Sequence, residues 1–160
     1  MNDGFTTCLW FDGQAEEAAE YYTSIFPSSS IGRVGHYTEA GPGTPGSVLA
    51  VEFVANGQKF VALNGGPEFT FDEAISFQIY CDGQEEVDRY WETLTADGGE
   101  ESVCGWAKDK FGLSWQVIPK GLLELVGDAD PEKAARATQA MLAMRKLDIA
   151  EIENAHAGVA

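Results

Sequence analysis

A carboxylate inside an apolar strand is the feature of this sequence best placed to do chemistry. Glu52 sits in SVLAVEFV, where every neighbour is apolar or small. A charge so placed must find a partner, take up a proton, or bear a substantial desolvation cost. The Asn56-Gly57 dipeptide that follows favours a two-residue hairpin turn. Pairing across that turn sets Glu52 opposite Val61, with Lys59 on the same face. Two roles stay open for Glu52. As a general base it would have its pKa raised by desolvation, and Glu52→Gln would spare stability while reducing function. As the ion-pair partner of Lys59 it would be structural, and the same substitution would cost about 1–3 kcal/mol.

The other reactive residue types carry less. Cys8 has neither a base nor a helix N-terminus beside it, so it reads as a small hydrophobe. His36 and His156 each stand alone and read as structural or surface residues. Cys8, Cys81 and Cys104 show no CxxC spacing, which fits a reducing cytoplasm. Gly41, Gly43 and Gly46 in GPGTPG match the letters of a dinucleotide fingerprint. That fingerprint must follow a strand and open a helix, whereas here two prolines interrupt it and the strand SVLAVEFV comes next. It reads as a strand-to-strand loop, with no support for a nucleotide or S-adenosylmethionine site.

The elements that position these residues come in two copies. DGQAEEAAEYY at 12–22 and DGQEEVDRYW at 82–91 share one pattern, and each follows a strand-like run, TTCLWF at 6–11 and SFQIYC at 76–81. Early carboxylates, Glu16-Glu17 and Glu85-Glu86, suit the positive end of a helix dipole. Three strands are predicted after the first helix, at 31–37, 48–54 and 59–64. The second helix, which stops near Asp97-Gly98-Gly99, is followed by strands predicted at 102–106, 107–109 and 113–118. Asp130-Pro131 opens a further helix with Ala134, Ala137, Met141 and Met144 at helical spacing, a core or dimer-contacting stripe. A shorter helix with Ile149 and Ile152 inward precedes a tail, AHAGVA, that reads as frayed. The predicted fold is α+β: two βαβββ modules forming a pseudo-symmetric mixed-sheet pocket, plus C-terminal helices. Module one spans 4–65, module two 74–119 and the helical extension 120–160 of a single domain.

Composition narrows the partners. The 160 residues carry a formal charge of −16. Such a field repels phosphate backbones and anionic lipids, so neither nucleic acid nor membrane is expected as a partner. No window approaches the roughly 20 apolar residues of a membrane span, and the N-terminus does not read as a signal peptide.

The paired modules resemble the vicinal oxygen chelate superfamily of glyoxalases, extradiol dioxygenases and fosfomycin-resistance proteins. LNGGPEFTFDEAISFQIYCDGQEEVDRYWETL and CGWAKDKFGLSWQVIP are similar to its PhnB-like branch, whose members are described as 3-demethylubiquinone-9 3-methyltransferases. The resemblance implies a divalent-metal site on the first and last strands of each module. Those positions here are Thr6 (or Thr7), Val61, Ser76 and Gln116, a poor donor set for such an ion. No metal and no cofactor is therefore expected. Val61 and Gln116 face the pocket by the resemblance, and Glu52 follows Val61. Alternation adds Cys8, Trp10, Ser76, Gln78 and Tyr80, with Leu9, Phe11, Phe77, Ile79 and Cys81 under the helices. Trp10 and Tyr80 suit an aromatic-walled small-molecule site, and equally suit core filling. The expected function is metal-free binding of a small molecule, with Glu52 as the catalytic candidate. The alternatives are a metal-dependent lyase, isomerase or dioxygenase, and the methyltransferase of the family description. A homodimer is expected from the superfamily and from base rates.

Overall fold

The computed structural model describes residues 4–159, and the chain divides into two compact units that meet at Thr70 and Phe71. In the first, β1 (Thr7–Phe11), α1 (Ala15–Ile25), β2 (Ser30–His36), β3 (Val48–Ala55) and β4 (Gln58–Asn64) build a four-stranded sheet in the order β1-β4-β3-β2. Only β1 and β4 run parallel. α1 forms because Ala15, Ala18, Ala19 and Tyr22 recur at helical spacing, and all four are buried. Beneath them lie Leu9, Phe11, Val51, Phe53 and Phe60, so one face of the sheet is the core and the other is open. Asn64 finishes the helix start: its Oδ1 accepts the Ala15 N–H and its Nδ2 donates to the Val48 carbonyl.

The second unit repeats the plan with β5 (Ser76–Cys81), α2 (Gln84–Thr95), β6 (Glu100–Glu101), β7 (Trp106–Lys108) and β8 (Ser114–Pro119), ordered β5-β8-β7-β6. Val87, Tyr90, Trp91 and Leu94 bury the inner face of α2. The internal repeat holds at the level of register. Cys8 pairs with Val61 and Gln78 with Gln116, each across a parallel pair of first and last strands. The two βαβββ modules predicted from sequence are present.

One predicted strand is not. The segment 102–106 turns instead of extending, and the pairing strand is the two-residue β6 before it. Cys104 and Gly105 adopt φ +55 and +81, a left-handed turn that no strand contains. Their N–H groups donate to the carbonyls of Met144 and Arg145 rather than to a neighbouring strand.

The C-terminal extension belongs to this second unit. α3 (Leu122–Val126) is too short to show a period in sequence, and α4 (Pro131–Ala143) and α5 (Ile149–Ala157) follow. Asp130 caps α4, accepting the N–H groups of Glu132 and Lys133. Ile118, Leu122, Ala137, Leu147 and Ile152 form its core, with Met141 and Met144 against it. Of the tail AHAGVA expected to fray, Ala155–Ala157 instead continue α5, which Gly158 caps. Arg136 donates to the carbonyls of Ala155 and His156, and the His156 ring meets the Asp128 carboxylate at 2.8 Å. The backbone N–H of Asp130 first, and the His156 pairing after it, hold the Asp128 carboxyl below its ordinary value.

Candidate functional site

The predicted site residues fall into two groups, one on the open face of each sheet. In the first module that face is laid out in rows by the strand register. Trp10, Leu63, Ala50 and Gly35 make the first row, and Cys8, Val61 and Glu52 the second. Lys59, Val54 and Ser30 make the third, with Thr6 at its end beside β1. Thr6, Ser30, Gly32, Glu52, Lys59 and Val61 contribute to the lining of a cleft of about 440 Å³.

Glu52 is where the hairpin argument put it, opposite Val61, but its surroundings differ from the expectation. Its side chain is 49% exposed, so it does not bear the desolvation inferred from its apolar neighbours. Those neighbours, Val51 and Phe53, point to the other face and are buried under α1. Its ion-pair partner is Arg33, not Lys59. Arg33 Nη2 lies 2.7 Å and Nε 3.2 Å from the same oxygen, Glu52 Oε1. The sequence reading missed Arg33 because β2 bulges between Ile31 and Val34. Ser30 and Gly35 both sit on the open face although their numbers differ in parity, so simple alternation cannot place the residues between them.

An ion pair this wet contributes about 0–1 kcal/mol. Glu52→Gln is therefore expected to change unfolding stability by less than about 1 kcal/mol, checked by urea denaturation. A loss of several kcal/mol would restore the buried structural role.

Trp10 is committed within its own module. Its Nε1 donates to the Gly66 carbonyl at 2.7 Å, and its ring meets Phe69 edge-on with centroids 5.0 Å apart. Cys8 lies exposed beside Val61, and the partial desolvation of its thiol raises its pKa, which disfavours the nucleophilic thiolate. The thiol of Cys81, buried in the core, is pushed up to about 12.

In the second module the open face carries a chain of neutral hydrogen bonds. Tyr80 Oη donates to Gln78 Oε1 at 2.8 Å, Gln78 Nε2 to Gln116 Oε1 at 3.3 Å, and Gln116 Nε2 to Ser76 Oγ at 2.8 Å. The register that pairs Gln78 with Gln116 brings these groups together.

This arrangement answers whether the residues fit a divalent metal. Val61 has no donor atom, and Ser76 and Gln116 bond to each other. Among the described residues no group of three His, Cys, Asp or Glu side chains is placed to hold a metal ion. The donor set does not fit the metal of the superfamily.

The glycine run is a loop between β2 and β3, as read from its prolines. It lies on Tyr37, where a Cβ at Gly43 would meet the ring at 2.5 Å, and Tyr37 Oη donates to the Asn64 carbonyl. Close approach to an aromatic ring, rather than to a phosphate, accounts for the glycine there.

Two βαβββ modules, each a mixed four-stranded sheet with one open face, define the vicinal oxygen chelate fold. The chain belongs to the family described as 3-demethylubiquinone-9 3-methyltransferase, whose profile matches residues 3–118. It is similar to a PhnB protein from Bacillus cereus carrying the same description. That likeness has 36% identity and a TM-score of 0.65, over 73% of this chain and 99% of that one. Two further likenesses concern the fold alone. A Pseudomonas aeruginosa protein is 17% identical with a TM-score of 0.58, over 72% of this chain and 96% of that one. The fosfomycin resistance protein FosX from Listeria monocytogenes is 21% identical with a TM-score of 0.50, over 78% and 97%. No curated protein matches the sequence.

Proposed function

We propose that the protein binds a small molecule on the open faces of its modules without a divalent metal, with the first-module cleft as the principal site. The observation that carries this reading is the replacement of the superfamily's ligand positions by Thr6, Val61, Ser76 and Gln116. A neutral hydrogen-bonded chain and the Glu52–Arg33 pair stand on those faces instead. Glu52 is the carboxylate that would accept a proton in any acid–base step at the cleft, since Arg33 occupies only one of its oxygens. Methyl transfer draws no support from the glycine run, which packs on Tyr37.

Elemental analysis of purified protein tests this reading. Zn, Mn, Fe and Ni are expected well below one per chain, and about one tightly held ion per chain would overturn it.

We further infer a homodimer in a reducing cytoplasm. Closed two-fold pairs are the commonest assembly, and Cys8, Cys81 and Cys104 are all free thiols. No helix among the described residues is long and apolar enough to cross a membrane. Light scattering is expected to return twice the chain mass, and a value of 17.3 kDa would exclude the dimer.

A further inference from the structure

The first unit is almost without positive charge. Its 70 residues hold eight carboxylate side chains and only two basic ones, Arg33 and Lys59. Yet Lys59 lines the 440 Å³ cleft, and Arg33 is paired to Glu52, which lines it too. The ammonium of Lys59 is exposed and has no ion-pair or hydrogen-bond partner among the described residues. Arg33 spends Nε and one Nη2 hydrogen on Glu52, which leaves Nη1 uncommitted. Hydroxyl donors from Thr6 and Ser30 belong to the same lining.

The other large cleft of this unit has the opposite character. It encloses about 430 Å³ beside Asp12 and Glu16, and no basic side chain lines it. Of the two clefts, only the one beside Lys59 offers an anion a positive charge.

We propose that the ligand of the first-module cleft is a small organic oxyanion, a carboxylate or a phosphate ester, bound chiefly by Lys59 with Arg33 as the second charge. The proposal rests on the reading of this cleft as a small-molecule site. Lys59 acts as a compact point charge with three free donors, which accepts either oxyanion geometry. Glu52 fixes Arg33 and places an unpaired carboxylate oxygen beside the anion, so a ligand that also carries a hydroxyl is favoured over a bare anion.

The test is a titration of the full-length chain followed by backbone amide NMR at constant ionic strength. The probes are acetate, glycolate and inorganic phosphate, with acetamide as the neutral counterpart. Saturable shifts are expected at Val54, Lys59 and Val61 with at least one oxyanion, glycolate exceeding acetate, and none at Asp12–Glu16. Acetate against phosphate separates the two oxyanion types. Lys59→Gln is expected to weaken binding at least fivefold, while Lys59→Arg stays within about twofold. Lys59 is exposed on the surface, and the variant's amide spectrum verifies that it folds. Acetamide binding as well as acetate, or an unchanged affinity in Lys59→Gln, would overturn the oxyanion and leave the small-molecule cleft standing. Amides at Val54, Lys59 and Val61 that no probe moves would remove both.

Discussion

Asp109→Ala is expected to cost about 3–5 kcal/mol of unfolding stability, the largest effect of any single substitution considered for this chain. Asp109 is 2% exposed, a charge inside the second unit. It is tolerated because three donors converge on it. Oδ1 accepts the N–H groups of Phe111 at 2.9 Å and Leu113 at 3.1 Å, and Oδ2 accepts the Trp115 indole N–H at 2.8 Å. Alanine strands all three in a region that water does not reach, and each orphaned donor costs about 1–3 kcal/mol with partial relaxation between them. Asp109→Asn separates the contributions. Its carbonyl keeps the two backbone bonds while its amide faces the indole donor, so an intermediate loss of about 1–3 kcal/mol is expected. Urea denaturation of the two variants checks the order. Equal stabilities for Asn and Ala would show that the indole bond dominates.

Gly105→Ala is the second large effect, expected at about 2–4 kcal/mol. The residue has φ +81, and an added Cβ would lie 2.8 Å from the Val117 carbonyl oxygen and 3.0 Å from Leu147 Cδ1. Both the backbone conformation and the space forbid a side chain. Gly112→Ala is the control: φ is +85 there, but nothing lies within 4 Å of the new Cβ. The control carries conformational cost alone, about 1–2 kcal/mol. If the two variants melt at the same temperature, the contact with Val117 and Leu147 carries no energy and the turn between β6 and β7 is more yielding than its geometry indicates.

What could be read in the sequence depended on how local the cause was. Asn56-Gly57 fixed the β3–β4 register to the residue, because a two-residue turn with φ +50 and +77 leaves no freedom in the pairing that follows. In the second module the resemblance supplied Gln116 and strand alternation supplied Gln78, and the parallel β5–β8 register sets the two opposite one another. Arg33 was invisible for a physical reason. A bulge changes the parity of β2, and bulges are set by the neighbouring strand: a Cβ at Gly32 would sit 3.0 Å from the Glu52 carbonyl oxygen. The burial of Glu52 failed for a related reason. Apolar neighbours in a strand describe the opposite face, so SVLAVEFV is the signature of a one-sided sheet, not of a buried charge. The turn at Cys104-Gly105 was missed because its hydrogen-bond partners, Met144 and Arg145, lie some forty residues ahead.

The side chain of Asn64 links events that a linear chain would otherwise keep apart. The first N–H of α1 is closed by a residue 49 positions later, and that same residue holds β3 at Val48. A helix of eleven residues is marginal alone, and this one has no side-chain cap of its own at Gln14. Its completed state therefore belongs to the late, loop-closing phase of folding and not to an early local nucleus. The amide proton of Ala15 should exchange with deuterium only when the β3–β4 hairpin opens. That makes a single resonance at the helix start a reporter on the cooperative unfolding of the whole first module.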